Sequence, residues 1–240
     1  MQSPLGFLRD AQPPSGCGPG GFFVSRVVNQ VAFLVDGFNL YHSVLDAERR
    51  LRRTVRWLDI RSLCESYTRR SLLGRASTLQ SVTYFSAYAT FLGHTSPASL
   101  TRHRTYVQAL QATGVEVVLN RFKARWRVCP ICRHRYVGYE EKETDVAIAV
   151  RIVELAISSD CDTIIVVTGD TDILPALRVA RKLAPAKRLW IGAPFRRYNR
   201  ELRHHADGAF KIRAEAYGRH RLPDPVVAPD GSVIPKPRTW

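Results

Sequence analysis

Apolar and polar residues follow two distinct patterns along this chain. The runs at 31–35 and 163–167 are almost entirely apolar, which is typical of strands buried on both faces of a sheet. Between 141 and 158, apolar residues instead recur at helical spacing, which predicts a helix packed on a sheet. The same patterns predict further strands near 79–88, 115–119, 188–191 and 210–212, and further helices over 39–53, 59–70, 97–113, 172–183 and 199–205.

Strands that alternate with helices indicate a parallel sheet with right-handed crossovers. We therefore predict an α/β fold, a three-layer α/β/α sandwich with a central parallel sheet. The Pro-rich ends lack the alternation and predict a disordered N-terminal extension over 1–29 and a disordered tail over 214–240. One globular domain remains over 30–213, and a basic, Cys-containing insertion interrupts it at about 121–139.

The charge balance indicates an anionic partner. The chain has 36 Lys and Arg against 21 Asp and Glu, a formal net charge of +15 at pH 7, and such a surface attracts phosphate backbones. A general richness in Arg could explain part of this excess, but the basic residues concentrate at 121–135 and 196–213.

Other compositional features bear on location. No apolar run approaches the roughly 18 residues of a membrane span, and the first residues lack the order of a secretory signal. Three of the five Cys are isolated in the sequence, which indicates a reducing compartment. We expect a cytoplasmic protein with no membrane partner.

Acidic residues follow the predicted strands at the point where an open α/β sheet forms its crevice. Asp36 ends the first strand, three residues before Asn39, and Asp170 and Asp172 follow the fourth. A capped strand-to-helix turn is the alternative explanation for Asp36, but capping needs only one carboxylate of the later pair. Asp145 precedes apolar residues of a helix and is expected to point inward. Because clustered carboxylates repel one another, such a group typically holds a hard cation.

The sequence Cys129-Pro130-Ile131-Cys132 is half of a structural zinc site. No second Cys pair exists. The missing ligands could be His134, His103 or Cys64, or the same pair from a second copy in a homodimer. Reduced loop thiols and, more weakly, a redox pair are the alternatives.

The residues around the Cys pair mix cations with aromatic side chains. This mixture suits backbone contacts and base stacking on single-stranded RNA, and a solvated basic hairpin is the alternative. A second basic patch follows the fifth predicted strand. The residues expected to bind RNA are Arg121, Lys123, Arg125, Trp126, Arg127, Arg196, Arg197 and Arg200.

Three segments together resemble the NYN domain, the LabA-like branch of the PIN-like nuclease superfamily. They are Val-Asp-Gly-Phe-Asn at 35–39, Glu-Glu-Lys-Glu-Thr-Asp-Val at 140–146 and Val-Thr-Gly-Asp-Thr-Asp-Ile at 167–173. Segments at 199–202 and 206–210 look like the closing element of that family. The resemblance covers roughly residues 30–213 in the order and spacing of the family.

The resemblance implies a metal-dependent ribonuclease fold with RNA as its substrate. The acidic positions of the family fall here on Asp36, Asp145, Asp170 and Asp172, with Asn39, Thr168 and, more peripherally, Asp207 in support. Mg²⁺ or Mn²⁺ prefers carboxylate oxygens and retained water, and it can lower the pKa of an attacking water. We therefore expect an endoribonuclease. The alternatives are a non-catalytic RNA-binding or regulatory module and a metal-dependent enzyme that acts on a small molecule.

Overall fold

The computed structural model of the chain describes residues 28–69, 73–93 and 95–240. Strands and helices alternate through most of this part, as the sequence predicts. In chain order the elements are β1 (Asn29–Asp36), α1 (Gly37–Leu51), α2 (Ile60–Thr68), β2 (Ser77–Ala87), a 3-10 turn (Thr90–Gly93), α3 (Pro97–Ala112), β3 (Glu116–Val128), β4 (Arg135–Lys142), α4 (Thr144–Ile157), β5 (Thr163–Val167), a 3-10 turn (Thr171–Ile173), α5 (Leu174–Leu183), β6 (Arg188–Ala193), α6 (Arg200–His204), β7 (Gly208–Lys211), α7 (Ala214–Arg219), β8 (Val226–Val227) and β9 (Val233–Ile234).

The central sheet has seven strands in the order β4-β3-β2-β1-β5-β6-β7. Every neighbouring pair is parallel except β3 with β4. Helices cover both faces, so the predicted α/β/α sandwich with a parallel sheet is confirmed. Among the described residues, no helix is long and apolar enough to cross a membrane.

The side chains of β1 divide the core into two layers. Phe33 and Val35 face the layer formed with α1, α2, α3 and α7, whereas Ala32 and Leu34 face the layer formed with α4 and α5. Because side chains alternate along a strand, Asp36 ends the strand on the α4 side. The alternation of side chains along β1 thus places Asp36 on the same side of the sheet as α4, so that residues of α4 can belong to the same site.

The insertion at 121–139 is a β-hairpin that extends the sheet. The first residues of β3 pair in parallel with β2 as far as Asn120 opposite Ala87. From Arg121 to Val128, β3 pairs only with β4, in antiparallel register. We call residues 121–142 the hairpin arm. Because β4 runs to Lys142, the helix predicted from residue 141 begins later, at Thr144.

The prediction of a disordered tail over 214–240 is wrong. Tyr217, Leu222 and Val226 are buried in the layer formed with α1, and the Trp57 indole donates a hydrogen bond of 2.8 Å to the carbonyl of Pro223. The tail is rich in Pro, but a few widely spaced apolar residues within it are buried in the core. Of the N-terminal extension, residues 1–27 lie outside the described residues, whereas Asn29 already pairs with Ser77 in the sheet.

Candidate active site

Asp36 is a buried carboxylate at the carboxyl edge of the sheet. It is only 3% exposed and serves as the N-cap of α1. One oxygen accepts the backbone N–H of Asn39 at 2.9 Å, and the other accepts the Asn39 amide at 3.0 Å and the Thr168 hydroxyl at 2.8 Å. The capping explanation is therefore correct, but it leaves the second oxygen to link β1 with the end of β5.

The turn after β5 continues this network. Asn39 Oδ1 accepts the N–H of Gly169 at 3.1 Å, and the Thr168 hydroxyl accepts the N–H of Asp170 at 3.1 Å. Asp170 Oδ1 accepts the N–H of Asp172 at 3.1 Å. Asn39 and Thr168 thus hold the two acidic turns against each other.

Gly169 allows a third segment to reach the site. A Cβ added at this position would lie 2.3 Å from the carbonyl oxygen of Arg197, closer than packing permits. Glycine therefore brings the loop after β6 directly onto the turn that carries Asp170.

Asp145 lies in the first turn of α4, on the same side of the sheet as Asp36. Burial and then the charges of Asp170, Asp36, Glu141 and Asp172 raise its pKa to about 6. Burial also raises the pKa of Asp36, with a smaller contribution from Asp170 that hydrogen bonds from Asn39 and Thr168 oppose. The carboxylates of the site therefore repel one another across β1, β5 and α4.

The carboxylates of the site are ligands of the kind that a hard cation prefers, although they do not surround a single position. Among the described residues, no three His, Cys, Asp or Glu side chains lie close enough to form a ready set of ligands. Mg²⁺ keeps several of its waters and needs only one or two direct carboxylates, so the ion fits such an open acidic crevice.

Glu141 belongs to this acidic group, and the sequence analysis missed it. It lies near the end of β4, where its carboxylate accepts the N–H of Thr144 at 3.1 Å and also contacts the Thr144 hydroxyl. Its charge contributes to the raised pKa of Asp145. The run of Glu before α4 was the available signal, but the favourable charge of a helix start explained it equally well.

The prediction that Asp207 supports the site is wrong. Asp207 precedes β7, and its carboxylate accepts the N–H of Leu189 at 2.7 Å and a hydrogen bond from Arg181 at 2.5 Å. Leu189 lies near the start of β6, at the amino edge of the parallel sheet. A carboxylate that precedes a parallel strand lies at the opposite edge from those that follow one.

Cys129 and Cys132 lie at the tip of the hairpin arm, outside this crevice. Backbone N–H groups of Cys132 and Ile131, and the Cys132 thiol, lower the pKa of Cys129. Cys64 is buried in the core and His103 contacts Ser86, so neither reaches the tip. Among the described residues no third ligand stands beside the pair, and completion of a zinc site by His134, His103 or Cys64 of the same chain is therefore wrong.

The two faces of the hairpin arm differ in chemistry. One face carries the cations predicted to bind RNA, and Glu140 accepts ion pairs from Arg125 at 3.3 Å, Arg127 at 2.6 Å and Lys142 at 3.0 Å. These cations lower the pKa of Glu140 to about 2. They outnumber this acid, and exposed ion pairs are weak, so the face stays basic.

The other face of the hairpin arm is aromatic near the site. Phe122 packs edge-on against Phe38 with ring centres 5.7 Å apart, and Tyr139 stacks on Phe91 at 4.0 Å. Further out, Trp126 is 64% exposed beneath the guanidinium of Arg135. Trp126 thus lies on the opposite face of the arm from Lys123. One nucleic-acid strand that lies along a single face of the arm cannot contact both side chains.

The basic residues of the second patch, which follows β6, differ in exposure and in whether they form ion pairs. Arg197 is half-buried and pairs with Asp46 at 3.2 Å. Arg196 is exposed over the ring of Phe195, and Arg200 is exposed at the start of α6. Arg121 of the arm is likewise paired, with Glu143 at 2.5 Å. Of the cations predicted to bind RNA, those that form no ion pair among the described residues are therefore Lys123, Arg196 and Arg200.

Comparison with known proteins identifies a family and a fold. The model of the family described as NYN domain matches residues 30–213. A 6-hydroxy-3-succinoylpyridine 3-monooxygenase from Pseudomonas putida is 26% identical over 173 residues, which are 61% of this chain and 54% of that protein. The chain thus spans about half the length of this relative.

A solved structure supports the fold alone. A protein of unknown function from Vibrio parahaemolyticus superimposes with a TM-score of 0.52 at 20% sequence identity. The match covers 78% of this chain and 95% of that one.

Proposed function

Because the chain belongs to the NYN domain family, a branch of the PIN-like nucleases, we propose that it is a metal-dependent endoribonuclease. The observation that carries the proposal is the acidic group at the ends of β1, β5 and β4 and the start of α4, where burial and then repulsion by neighbouring carboxylates raise the pKa of Asp145 to about 6. Repulsion of this kind destabilises a site unless a cation or a proton neutralises it.

Asp36, Asp145, Asp170 and Asp172 would hold Mg²⁺ or Mn²⁺, one or two of them directly and the others through waters that the ion retains. The ion would supply a water of lowered pKa and stabilise the charge on the scissile phosphate. Asn39 and Thr168 fix both oxygens of Asp36 by hydrogen bonds, so that its direction does not depend on the ion. Glu141 adds negative charge beside Asp145.

Single-stranded RNA would approach along the basic surfaces that flank the crevice. The hairpin arm leaves the sheet at Asn120, opposite Ala87, close to the strand end that carries Asp36. The loop with Arg196 packs on Gly169 beside Asp170. Phosphate contacts from both segments would draw the strand across the carboxylates. The four described cysteines are free, which fits action in a reducing cytoplasm.

Cleavage of mixed RNA and DNA substrates tests the proposal. We expect RNA cleavage with Mn²⁺ or Mg²⁺, none with EDTA, and none with Asp170→Asn. Asp207→Asn is the matched control, because it removes the same charge at the opposite edge of the sheet. Metal-dependent cleavage by Asp170→Asn at the wild-type rate would refute the proposed site. Binding of RNA without cleavage under any metal would favour the regulatory alternative.

We propose a zinc ion at the tips of the hairpin arms of two copies. Each chain contributes Cys129 and Cys132, and four thiolates make a tetrahedral site. Hydrogen bonds from backbone N–H groups already favour the Cys129 thiolate. Protein purified without chelator should be a dimer with one zinc per two chains, and a Cys132→Ser variant should be a zinc-free monomer. Wild-type protein that is monomeric and zinc-free would leave the pair as plain reduced thiols.

An enzyme acting on a small aromatic molecule is the second candidate function. It is favoured by the relative named as a hydroxypyridine monooxygenase, at 26% identity over half of its length. Such an enzyme would leave all RNA substrates intact in the cleavage experiment, with and without Mn²⁺.

A further inference from the structure

A cavity of about 270 Å³ lies between α1, β2 and α3, on the sheet face opposite α4. The turn that begins at Asp36 connects it to the carboxylate site, because the next two residues, Gly37 and Phe38, line the cavity. Its volume is near the lower limit of small-ligand pockets, which is about 300 Å³. No residue that lines it takes part in the proposed metal site.

The walls of the cavity are built from flat rings. Phe38, Tyr41, Tyr84, Tyr106 and Trp240 all line it. The rings of Tyr106 and Trp240 lie 5.3 Å apart, and the Tyr106 hydroxyl is already bonded to the carbonyl of Leu58 at 2.9 Å. Tyr41 is 46% exposed at the rim. Rings disposed in this way favour a flat aromatic ligand over a branched aliphatic one.

One side of the cavity is polar. Ser86 and the Nε2 of His103 lie 3.2 Å apart. Burial lowers the pKa of His103, which favours the neutral ring; Nε2 is engaged by Ser86, so the Ser86 hydroxyl and the other ring nitrogen remain as donor or acceptor for a ligand. A ligand edge that carries both donors and acceptors would be matched here, as the edge of a heterocyclic base is.

Two guanidinium groups also line the cavity. Arg102 is held by the hydroxyls of Ser99 at 2.7 Å and Thr239 at 3.2 Å, and Arg56 is held by Glu48 at 2.7 Å. Arg102 has only hydroxyl partners among these contacts, and no carboxylate among them offsets its charge. It would favour an anionic group attached to the flat ligand.

We propose that this cavity binds the base of a nucleotide, unstacked from its neighbours. The inference rests on the proposed function, since Gly37 and Phe38, which line the cavity, directly follow Asp36 in the chain, so an RNA strand that lies across Asp36 would pass beside the cavity. The same chemistry, a base with an attached phosphate, could be presented by an RNA strand or by a free mononucleotide. The experiment separates these two sources.

Binding is measured on the full chain carrying Asp170→Asn, with Mg²⁺, so that no RNA is cut. The ligands are a short single-stranded RNA, the same RNA with one abasic nucleotide placed at each position in turn, and nucleoside monophosphates. Tyr41→Ala removes the ring at the rim, and Tyr41→Phe is the matched control that keeps it. Tyr41 is at the surface of α1, and the melting temperature of each variant checks that the fold is intact.

We expect Tyr41→Ala to weaken RNA binding about tenfold, in the range for loss of one stacked base, and Tyr41→Phe to bind like the parent. An abasic nucleotide at one position should cost at least that amount in the parent and less in Tyr41→Ala, because the two changes share the contact between the base and the Tyr41 ring. Mononucleotide binding that Tyr41→Ala abolishes, without any abasic penalty in RNA, would assign the pocket to free nucleotides. Penalties that simply add, together with no mononucleotide binding, would overturn the proposal.

Failure of the proposed function would look different. Protein with native Asp170 that never cuts RNA, but shows the coupled penalties after Asp170→Asn, would keep the base pocket and lose the nuclease. Metal-dependent cleavage with no coupling would do the reverse.

Discussion

At the scale of single residues, Asp36 shows how one carboxylate can cap a helix and still serve a site. A carboxylate has about four positions for hydrogen bonds. Asn39 occupies two of them and Thr168 a third. In the proposed site the fourth would be available to a cation, and the three occupied positions keep the side chain in place without one.

Replacement of Asp145 by Asn should stabilise the metal-free protein at neutral pH. Folding raises the pKa of Asp145 from 3.8 to about 6, so the folded protein loses stability as the pH rises through that window, and the loss is complete above it. After allowance for solvent screening of a half-buried carboxyl, we expect a gain of about 1 kcal/mol at pH 7.5, or about 2–4 °C in Tm. Thermal unfolding in EDTA measures it, with Asp160→Asn on an exposed loop as the control. An unchanged or lower Tm for Asp145→Asn would contradict the repulsion.

Binding of Mn²⁺ should weaken in acid because a proton competes with the ion for Asp145. With a pKa of about 6, affinity should fall about tenfold per pH unit below that value if one proton is displaced. Calorimetric titration at pH 7.5 and pH 5 measures the change. The Asp145→Asn variant should bind more weakly and with little pH dependence. Equal affinity of the wild type at both pH values would remove Asp145 from the metal site.

The positions of Asp36 and Asp170 at the ends of two strands could be predicted from the sequence. The full set of acidic groups around them could not. Asp36 and Asp170 stand out because each follows a run that can only be a buried strand. Glu141 could not be separated from an ordinary acidic helix start. Asp207 was misassigned because a motif gives the position of a carboxylate along the chain, whereas its edge of the sheet depends on whether it precedes or follows a strand.

At the scale of secondary-structure elements, the hairpin arm is a feature that the sequence indicates only as an alternative. Basic and apolar residues alternate along 121–128, which is a strand pattern. From the sequence this segment interrupts the alternation of strands and helices, because neither of its faces enters the core. A strand without a core has only its partner strand and its period of two to identify it.

Removal of exposed cations from the two basic segments should weaken RNA binding and reduce its salt dependence. We expect the combined change of Arg125, Arg127 and Arg200 to Ala to make the log–log salt slope less negative by up to about 2, since each phosphate contact in single-stranded RNA contributes about −0.7. Filter binding between low and moderate salt measures the slope. Arg178→Ala, an exposed arginine of α5, should leave it unchanged. A triple variant with the wild-type slope would make the arm a solvated surface.

At the scale of the whole molecule, the tail completes the layer that covers α1. The Tyr217 hydroxyl lies 2.8 Å from the Ser43 hydroxyl and accepts the N–H of Phe195 at 3.2 Å. Ser43 in turn donates to the carbonyl of Phe195 at 2.9 Å. This buried network joins α7, α1 and the loop after β6, the loop that packs on Gly169.

Tyr217→Phe should therefore destabilise the whole fold. Loss of a buried hydroxyl that serves two partners is expected to cost about 2 kcal/mol, or about 4–8 °C in Tm. Tyr198→Phe removes a hydroxyl from an exposed ring and is the matched control. Thermal unfolding compares the two. Equal Tm values would mean that the tail packs without this network.

The alternation of strands and helices was sufficient to predict the architecture, because a parallel sheet follows from that order alone. The tail was not predictable from composition. Tyr217, Leu222 and Val226 are too few and too far apart to form a periodic pattern, and they become a core surface only once α1 and α3 are in place.

The length of the hairpin arm would set a distance scale for the substrates of the proposed nuclease. From Arg121 to Val128, eight residues extend beyond the last contact with β2, which at about 3.3 Å per residue is a reach of about 26 Å. An oligonucleotide too short to span that reach can occupy the carboxylates without touching the outer arm. The arm would then favour the binding of long strands and make no difference to short fragments. Cleavage by the proposed nuclease would therefore slow as its own products became shorter.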